Sequence, residues 1–337
     1  MKKIVSLLVA LLLVVAAMTC AVAEETKLMG VFMPSADHGF TAESIEQAKG
    51  ALELTKETTE GFDYVLYNTA EASEQMNQIM TALDMYEFDT IMLWPIDGAP
   101  LYNAASMIVE KGIPLVVYDR LIPDFAPTAE MTGDQIAIGT SAANYMNTYF
   151  ADRIAAGETI HVLEFQGDTS QAAVERTESF IANKNESIVI DQSFLTMWSR
   201  ETGYNDMTNW LSNTPKEEIE QVSAIYTHDD EPLLGILDAI AQYQGDAELN
   251  IEILIGVGAM KDVLDVMQSS LDEYGINVVT NTYAPGMIRQ CVDLSVGIMY
   301  GSGETGLHLV PVEAISLENE AEYRLSDEYM FRYPDAA

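Results

Sequence analysis

Short apolar runs alternate with amphipathic stretches of helical period along most of the chain, and this alternation restricts its folding more than any other feature. Leu28–Met33, Tyr64–Tyr67, Thr90–Leu93 and Leu115–Tyr118 have the length and composition of buried strands. Ala42–Thr55, Ser73–Met85 and Ala99–Lys111 lie between them with helical spacing. In the second of these, Met76, Ile79, Met80 and Leu83 form a single helical stripe, so the methionines are core residues rather than a metal box. Beyond a helical stretch at Gln135–Ala156 the pattern resumes. Strands are expected at Ile160–Phe165, Ile188–Phe194, Ala224–Thr227, Ile253–Val257 and Val278–Thr280. Helices are expected at Ser170–Lys184, Thr202–Asn213, Pro232–Tyr243, Lys261–Leu271 and Pro285–Tyr300, and Val310–Ile315 reads as a last short extended piece. Parallel strands need helical crossovers, so strict alternation predicts α/β architecture with helices on both faces of parallel sheets. A chain of 337 residues carries more units than one sheet holds comfortably, and two doubly wound domains are expected. No long Pro/Gly/Ser stretch separates them, which fits domains joined by short crossings.

The first residues read as an export signal. Lys2 and Lys3 precede the apolar run Ile4–Ala17, and Ala21-Val22-Ala23 supplies a small-x-small cleavage pattern before Glu24. Cleavage after Ala23, giving a signal peptide of residues 1–23, is one outcome. Lipidation at Cys20 is another, although Ala17-Met18-Thr19 is a poor lipobox. Retention as an anchor is a third, because Ile4–Ala23 carries no charge over about the length of a span. Each places the folded part outside the cytoplasm, in a periplasmic or extracellular space. Beyond the signal only Cys291 remains, which excludes an intramolecular disulfide in the cleaved form. The net charge of −37 repels phosphate backbones and argues against nucleic acid as a partner.

In open parallel sheets, ligands bind beyond the carboxyl ends of the strands, so the residues directly after each apolar run are the candidates. The sharpest group is Tyr118-Asp119-Arg120. An ionised Asp offers only acceptors and Arg a planar fork of donors, and together they suit hydroxyls that both donate and accept. A solvent-facing ion pair is the plainer alternative, and such a pair contributes little. Asp37 and Phe40 follow the first strand, Arg176 lies early in the helix after Ile160–Phe165, and Trp198 follows Ile188–Phe194. Asp229 follows Ala224–Thr227 and Asn281 follows Val278–Thr280. Aromatic faces with a few polar groups are the usual make-up of a small-molecule cleft. Trp198 could equally be a core residue, and His228-Asp229-Asp230-Glu231-Pro232 could be a helix start capped by Asp. No metal is expected at the latter, since its donors lie too close in sequence to wrap a cation unaided. Gly256-Val257-Gly258 lacks the third glycine of a dinucleotide loop, so no cofactor is expected. Nucleophile-elbow, His-Glu-x-x-His and phosphate-loop motifs are missing, and scattered carboxylates alone define no catalytic pair, so the chain does not read as an enzyme.

Several segments in order resemble the type I periplasmic binding proteins for ribose, xylose, galactose and related sugars. They are Ala36-Asp37-His38-Gly39-Phe40-Thr41-Ala42, Gln75-x-x-Gln78-Ile79, Pro95-Ile96-Asp97-Gly98-Ala99 and Lys111–Arg120. Gly133-Asp134-x-x-Ala137-Ile138-Gly139, His228-Asp229-Asp230-Glu231 and Ser316-Leu317-Glu318-Asn319 complete the set. The resemblance implies two α/β lobes joined by a three-stranded hinge, with the ligand between them. Residues 24–131 and 283–312 would form the first lobe, and 132–282 and 313–337 the second. By position, Asp119 and Arg120 would hold sugar hydroxyls, with Asp37 and Phe40 opposite the ring. Arg176, Trp198, Asp229 and Asn281 would contribute from the second lobe and hinge. The implied role is that of a monomer binding a sugar or polyol for the permease of an ABC transporter, or presenting it to a chemoreceptor. Gly258 stands where sugar-binding relatives usually place Asp, Asp229 where Asn is common, and Asn281 replaces a frequent Gln or Lys, so the sugar stays open.

Overall fold

The computed structural model describes residues 26–36 and 39–333. The expected signal with Cys20, and the site candidate Asp37, lie outside the described residues.

The described strands form two six-stranded sheets. The first contains β1 (Lys27–Pro34), β2 (Phe62–Thr69), β3 (Thr90–Leu93), β4 (Leu115–Tyr118), β5 (Ala129–Gly133) and β11 (Gly306–Val310), in the order β11-β5-β4-β3-β1-β2. The second contains β6 (Ile160–Gln166), β7 (Ile188–Leu195), β8 (Val222–Thr227), β9 (Ile253–Val257), β10 (Asn277–Asn281) and β12 (Ala314–Ile315), in the order β12-β10-β9-β8-β6-β7. All pairings are parallel except β10 with β12. The two doubly wound lobes expected from the alternation are therefore present.

Helices α1 (Gly39–Thr58), α2 (Ala72–Met85) and α3 (Gly98–Glu110) cover the first sheet, joined by α11 (Met287–Met299) from late in the chain. The second sheet carries α4 (Gln135–Tyr149), α5 (Ala151–Ala155), α6 (Gln171–Asn183), α7 (Arg200–Asn213), α8 (Lys216–Ile219), α9 (Asp230–Ala241) and α10 (Lys261–Tyr274). Two short helices, α12 (Glu320–Tyr323) and α13 (Asp327–Arg332), close the described chain. The period-2 geometry of a strand explains the layering. Met29, Val31 and Met33 of β1 pack with Ile45 and Leu52 of α1 and Ile288 and Val292 of α11. Phe32 faces the other way, onto Ile79 and Leu83 of α2 and Leu101 and Ile108 of α3. A strand buried on both faces must be apolar at every position, which is why it reads as a continuous run. Cys291 is buried in the first of these clusters, and burial pushes its thiol up to about 12.

The chain passes between the lobes three times, and the passages lie side by side. They follow Gly133, Asn281 and Val310. The Asp134 amide donates to the Val310 carbonyl at 3.4 Å and the Thr282 amide to the Glu313 carbonyl at 2.8 Å. The Glu313 amide in turn donates to Thr282 Oγ1 at 2.9 Å.

Several boundaries differ from expectation. The Ala129–Gly133 segment reads as no strand in isolation, yet it pairs with β4 on one side and β11 on the other. It keeps Thr132 and Gly133 in the first sheet, so the first passage begins two residues beyond the boundary expected at 131. Gln135–Ala156 is not one helix but divides at Phe150 into α4 and α5. The Val310–Ile315 piece divides between two sheets. Pro311, which has no amide hydrogen, stands directly after β11, where a ladder bond would be lost. The helices α12 and α13 are too short for periodicity to announce.

Candidate functional site

Within each lobe the strand order turns back on itself at the first strand, β1 in one and β6 in the other. The carboxyl ends of the strands around that point form the ligand-binding side of such sheets. The sequence candidates gather there unevenly.

Asp119 leaves β4 with φ 61, in the left-handed region that a non-glycine residue rarely enters. Its carbonyl accepts from Thr132 Oγ1 at 3.0 Å, a bond that helps hold this turn. The carboxylate oxygens have separate partners. Oδ2 accepts from the indole Nε1 of Trp94 at 3.0 Å, and Oδ1 accepts from the phenol of Tyr283. Arg120 is exposed and donates through Nη1 to the Ile96 carbonyl at 2.6 Å. The two neighbours therefore serve different partners instead of forming a surface pair.

Tyr283, in the second passage, joins the lobes. Its ring meets Phe40 of α1 at 5.1 Å, and its hydroxyl accepts from Gln135 Nε2 at 3.0 Å. Gly133 makes this seat: a Cβ there would stand 2.1 Å from the ring. Above it lies the guanidinium of Arg176, 5.0 Å from the Tyr283 ring centroid and 5.4 Å from that of Trp198. Arg176 is buried, donates through Nε to Gln135 at 2.8 Å, and bonds the His228 carbonyl. Stacking plus a fork of donors is what an arginine supplies and a lysine does not.

Trp198 follows β7 in a left-handed pair with Met197, at φ 60 and φ 53. Backbone strain of this kind costs free energy and persists where surrounding contacts enforce it. Here the indole lies on Gly167, beside the carboxylate of Asp168. Burial opposes ionisation of Asp168, yet the bond from Ser170 and the indole of Trp198, with Arg120 nearby, hold it below the usual range. Arg120 of the first lobe thus acts on this carboxylate through its field alone.

Two candidates are placed differently. Asp229 caps α9, accepting from the Glu231 amide at 2.9 Å, as the helix-start alternative expected. It also lies within the field of Arg176. Asn281 is buried in the second lobe, where Oδ1 accepts from Ser141 at 2.6 Å and Nδ2 donates to the Gly256 carbonyl at 3.5 Å. Its amide is thus engaged away from the Tyr283 cluster. Beneath them, buried Glu164 accepts from Thr177 and Ser193, each at 2.7 Å, with His228 Nε2 at 3.4 Å. Burial resists ionisation of Glu164, but these donors hold it below the usual carboxylate range.

Burial pushes the Asp229 carboxyl up to about 7, from 3.8 in the unfolded reference. The folded chain therefore binds more protons than the unfolded chain between those values, and this group's contribution to stability falls as pH rises through them. Replacing Asp229 with Asn keeps the capping acceptor and removes the ionisation. Scanning calorimetry should find the variant more stable than the parent by about 1–2 kcal/mol at pH 8 and nearly equal to it at pH 4. Equal melting temperatures at pH 8 would show that Asp229 ionises freely in the fold.

Trp94, Gln135 and Asp168 join the cluster without having been singled out as ligand contacts. Trp94 and Asp168 obey the strand-end rule, directly after Leu93 and just past Gln166. Gln135 carried no such signal, because the strand before it was not recognisable as one. A surface crevice of about 500 Å³, lined by Tyr204, Lys216 and Tyr243 among others, lies elsewhere on the second lobe, where α7 and α9 end.

With this geometry in place, the comparisons are consistent with one another. Residues 29–302 match the periplasmic binding protein domain family, and the chain belongs to that family. The ribose import binding protein of Bacillus subtilis is 25% identical over 60% of this chain and 62% of its own length. That of Escherichia coli is 28% identical over 44% of this chain and 48% of its own. The chain thus spans about half to three fifths of these relatives' lengths. An ABC transporter solute-binding protein from Bacillus halodurans, solved with bound myo-inositol, superposes with a TM-score of 0.71 at 20% identity, over 89% of this chain and 97% of that one. At that identity the likeness shows the type I two-lobe fold.

Proposed function

We propose that the chain is an exported binding protein that closes its two lobes on a monosaccharide or related polyol and delivers it, unchanged, to the permease of an ABC transporter. The carrying observation is the Arg176 guanidinium between the rings of Trp198 and Tyr283, with Asp119 bonded to that same tyrosine. Aromatic faces pack on the C–H faces of a sugar ring, and Asp and Arg match hydroxyls that both donate and accept. The names of the relatives, a ribose importer and a myo-inositol complex, support the same ligand class.

Binding by closure requires contacts that exist only when both lobes meet the ligand, because only a differential contact shifts an equilibrium. Closing the population almost completely takes about 3 kcal/mol from an even mixture of open and closed forms and about 5 kcal/mol from a mostly open one. Several charge-assisted hydrogen bonds and a stacked ring supply that much. Among the described residues, no helix is long and apolar enough to cross a membrane. Export would rest on the segment ending at Ala23 and remains part of the proposal.

A thermal-shift screen of monosaccharides, polyols and nucleosides tests the ligand class, since a ligand that binds only the folded chain raises its melting temperature. The best hit should be recovered chemically unchanged after incubation; turnover would overturn the binding role. Replacing Arg120 with Ala should weaken that hit by about thirtyfold in calorimetry, the value of one hydrogen bond to a charged group. Unchanged affinity would remove Arg120 from the site.

A further inference from the structure

The end of the described chain makes a contact that the ligand cluster does not use. Helices α12 and α13 belong to the second lobe by packing: Tyr323 and Tyr329 are buried in its core cluster with Leu264 and Met267 of α10. Arg324 adds bonds to Asp265 and to the Tyr329 hydroxyl, each at 3.0 Å. The last residues then reach out of that lobe. Arg332 donates through Nε to Glu43 of α1, in the first lobe, at 2.7 Å. Through Nη1 it donates to the Gly258 carbonyl, after β9 of the second lobe, at 2.6 Å. Its side chain is only 4% exposed, while that of Glu43 is 38% exposed. The guanidinium lies 5.1 Å from the Tyr333 ring, and the Tyr333 hydroxyl accepts from the Lys261 amide at 3.1 Å. Beneath, Asp230 accepts from the Met260 amide and from Thr280 Oγ1, at 2.8 and 2.7 Å, and so supports the turn on which Arg332 rests.

We propose that Arg332 is an interlobe tie: it fastens α13, built on the second lobe, to α1 of the first, and so positions the two walls of the cleft for binding. Glu43 lies only a few residues beyond Phe40, on the same helix that carries that aromatic face. A bond made to both lobes by one planar, permanently charged group exists in one lobe arrangement and is lost when they separate. It therefore biases the lobe equilibrium without touching the ligand. Helix α13 is placed for this role beside the hinge, where Glu328 borders a small gap with Gly133, Thr282, Tyr283 and Pro311. The tie rests on the proposed binding role only for its consequence on affinity. Its effect on lobe separation needs no ligand, so the two can fail separately.

Small-angle scattering of the ligand-free chain provides the test. Glu43→Ala should increase the radius of gyration, through a shift of about tenfold in the open-to-closed ratio, the value of one charge-assisted bond. Arg332→Ala should do the same, and the double variant should scatter like Arg332→Ala alone, because both changes remove one interaction. Arg332→Lys, which keeps the charge and loses the fork, should fall between. Radii that grow additively in the double variant would overturn the tie. So would an unchanged radius in Glu43→Ala, a partly exposed position that decides the matter even if the Arg332 variants do not fold.

Discussion

Arg176→Ala is expected to abolish measurable binding of whichever sugar or polyol scores best in the thermal screen, and to lower the melting temperature as well. The guanidinium touches three parts of the molecule at once: Gln135 at the hinge, the His228 carbonyl at the end of β8, and the rings of Trp198 and Tyr283. Its removal leaves a buried carbonyl and an amide oxygen without their charged donor and separates two aromatic faces. Breaking a buried charged network of this kind costs about 3–5 kcal/mol, which corresponds to at least a hundredfold in affinity. Arg176→Lys should recover little, because an ammonium cannot stack or donate in two fixed directions. Calorimetric titration decides it, and an Arg176→Ala chain that binds with parental affinity would place the ligand elsewhere.

Gly167→Ala is expected to weaken binding by ten- to a hundredfold while leaving the secondary structure intact. A Cβ at this position would stand 2.2 Å from the six-membered ring of Trp198, too close for any real contact, so the indole must move. The backbone there is not in the left-handed region, so the substitution tests ring placement and not turn strain. Displacing one well-packed aromatic costs about 1–3 kcal/mol. The indole would also move from its place beside the Asp168 carboxylate. Near-ultraviolet dichroism and tryptophan fluorescence should change together with the affinity, with the far-ultraviolet spectrum constant. Parental affinity with a shifted tryptophan signal would remove Trp198 from the ligand site.

The two glycines that seat the aromatic rings mark where sequence reading stopped. Gly133 and Gly167 each let a ring lie directly on backbone, yet in sequence Gly133 ends a segment that does not read as a strand and Gly167 is a small residue after one. Trp94 and Asp168 lie within reach of the strand-end rule, which singles out Asp119, Arg120, Arg176 and Trp198 as candidates. Asp229 obeyed the rule too, but a carboxylate before a helix also caps it, and the capping bond is the one the structure contains. Asn281 shows the limit from the other side: it ends its strand as expected, while its amide turns to Ser141, far away in the chain.

Local periodicity determined the architecture by itself, because a strand covered on both faces has to be apolar throughout and its crossover helix has to carry one apolar stripe. Both constraints act within a few residues and so are written in the order of the chain. The partners of each polar group were decided only by tertiary structure. Tyr283 meets Asp119 across 164 positions of sequence, and Arg332 meets Glu43 across 289. Such pairings depend on where three separate passages bring the two lobes, a distance in space that no local pattern encodes.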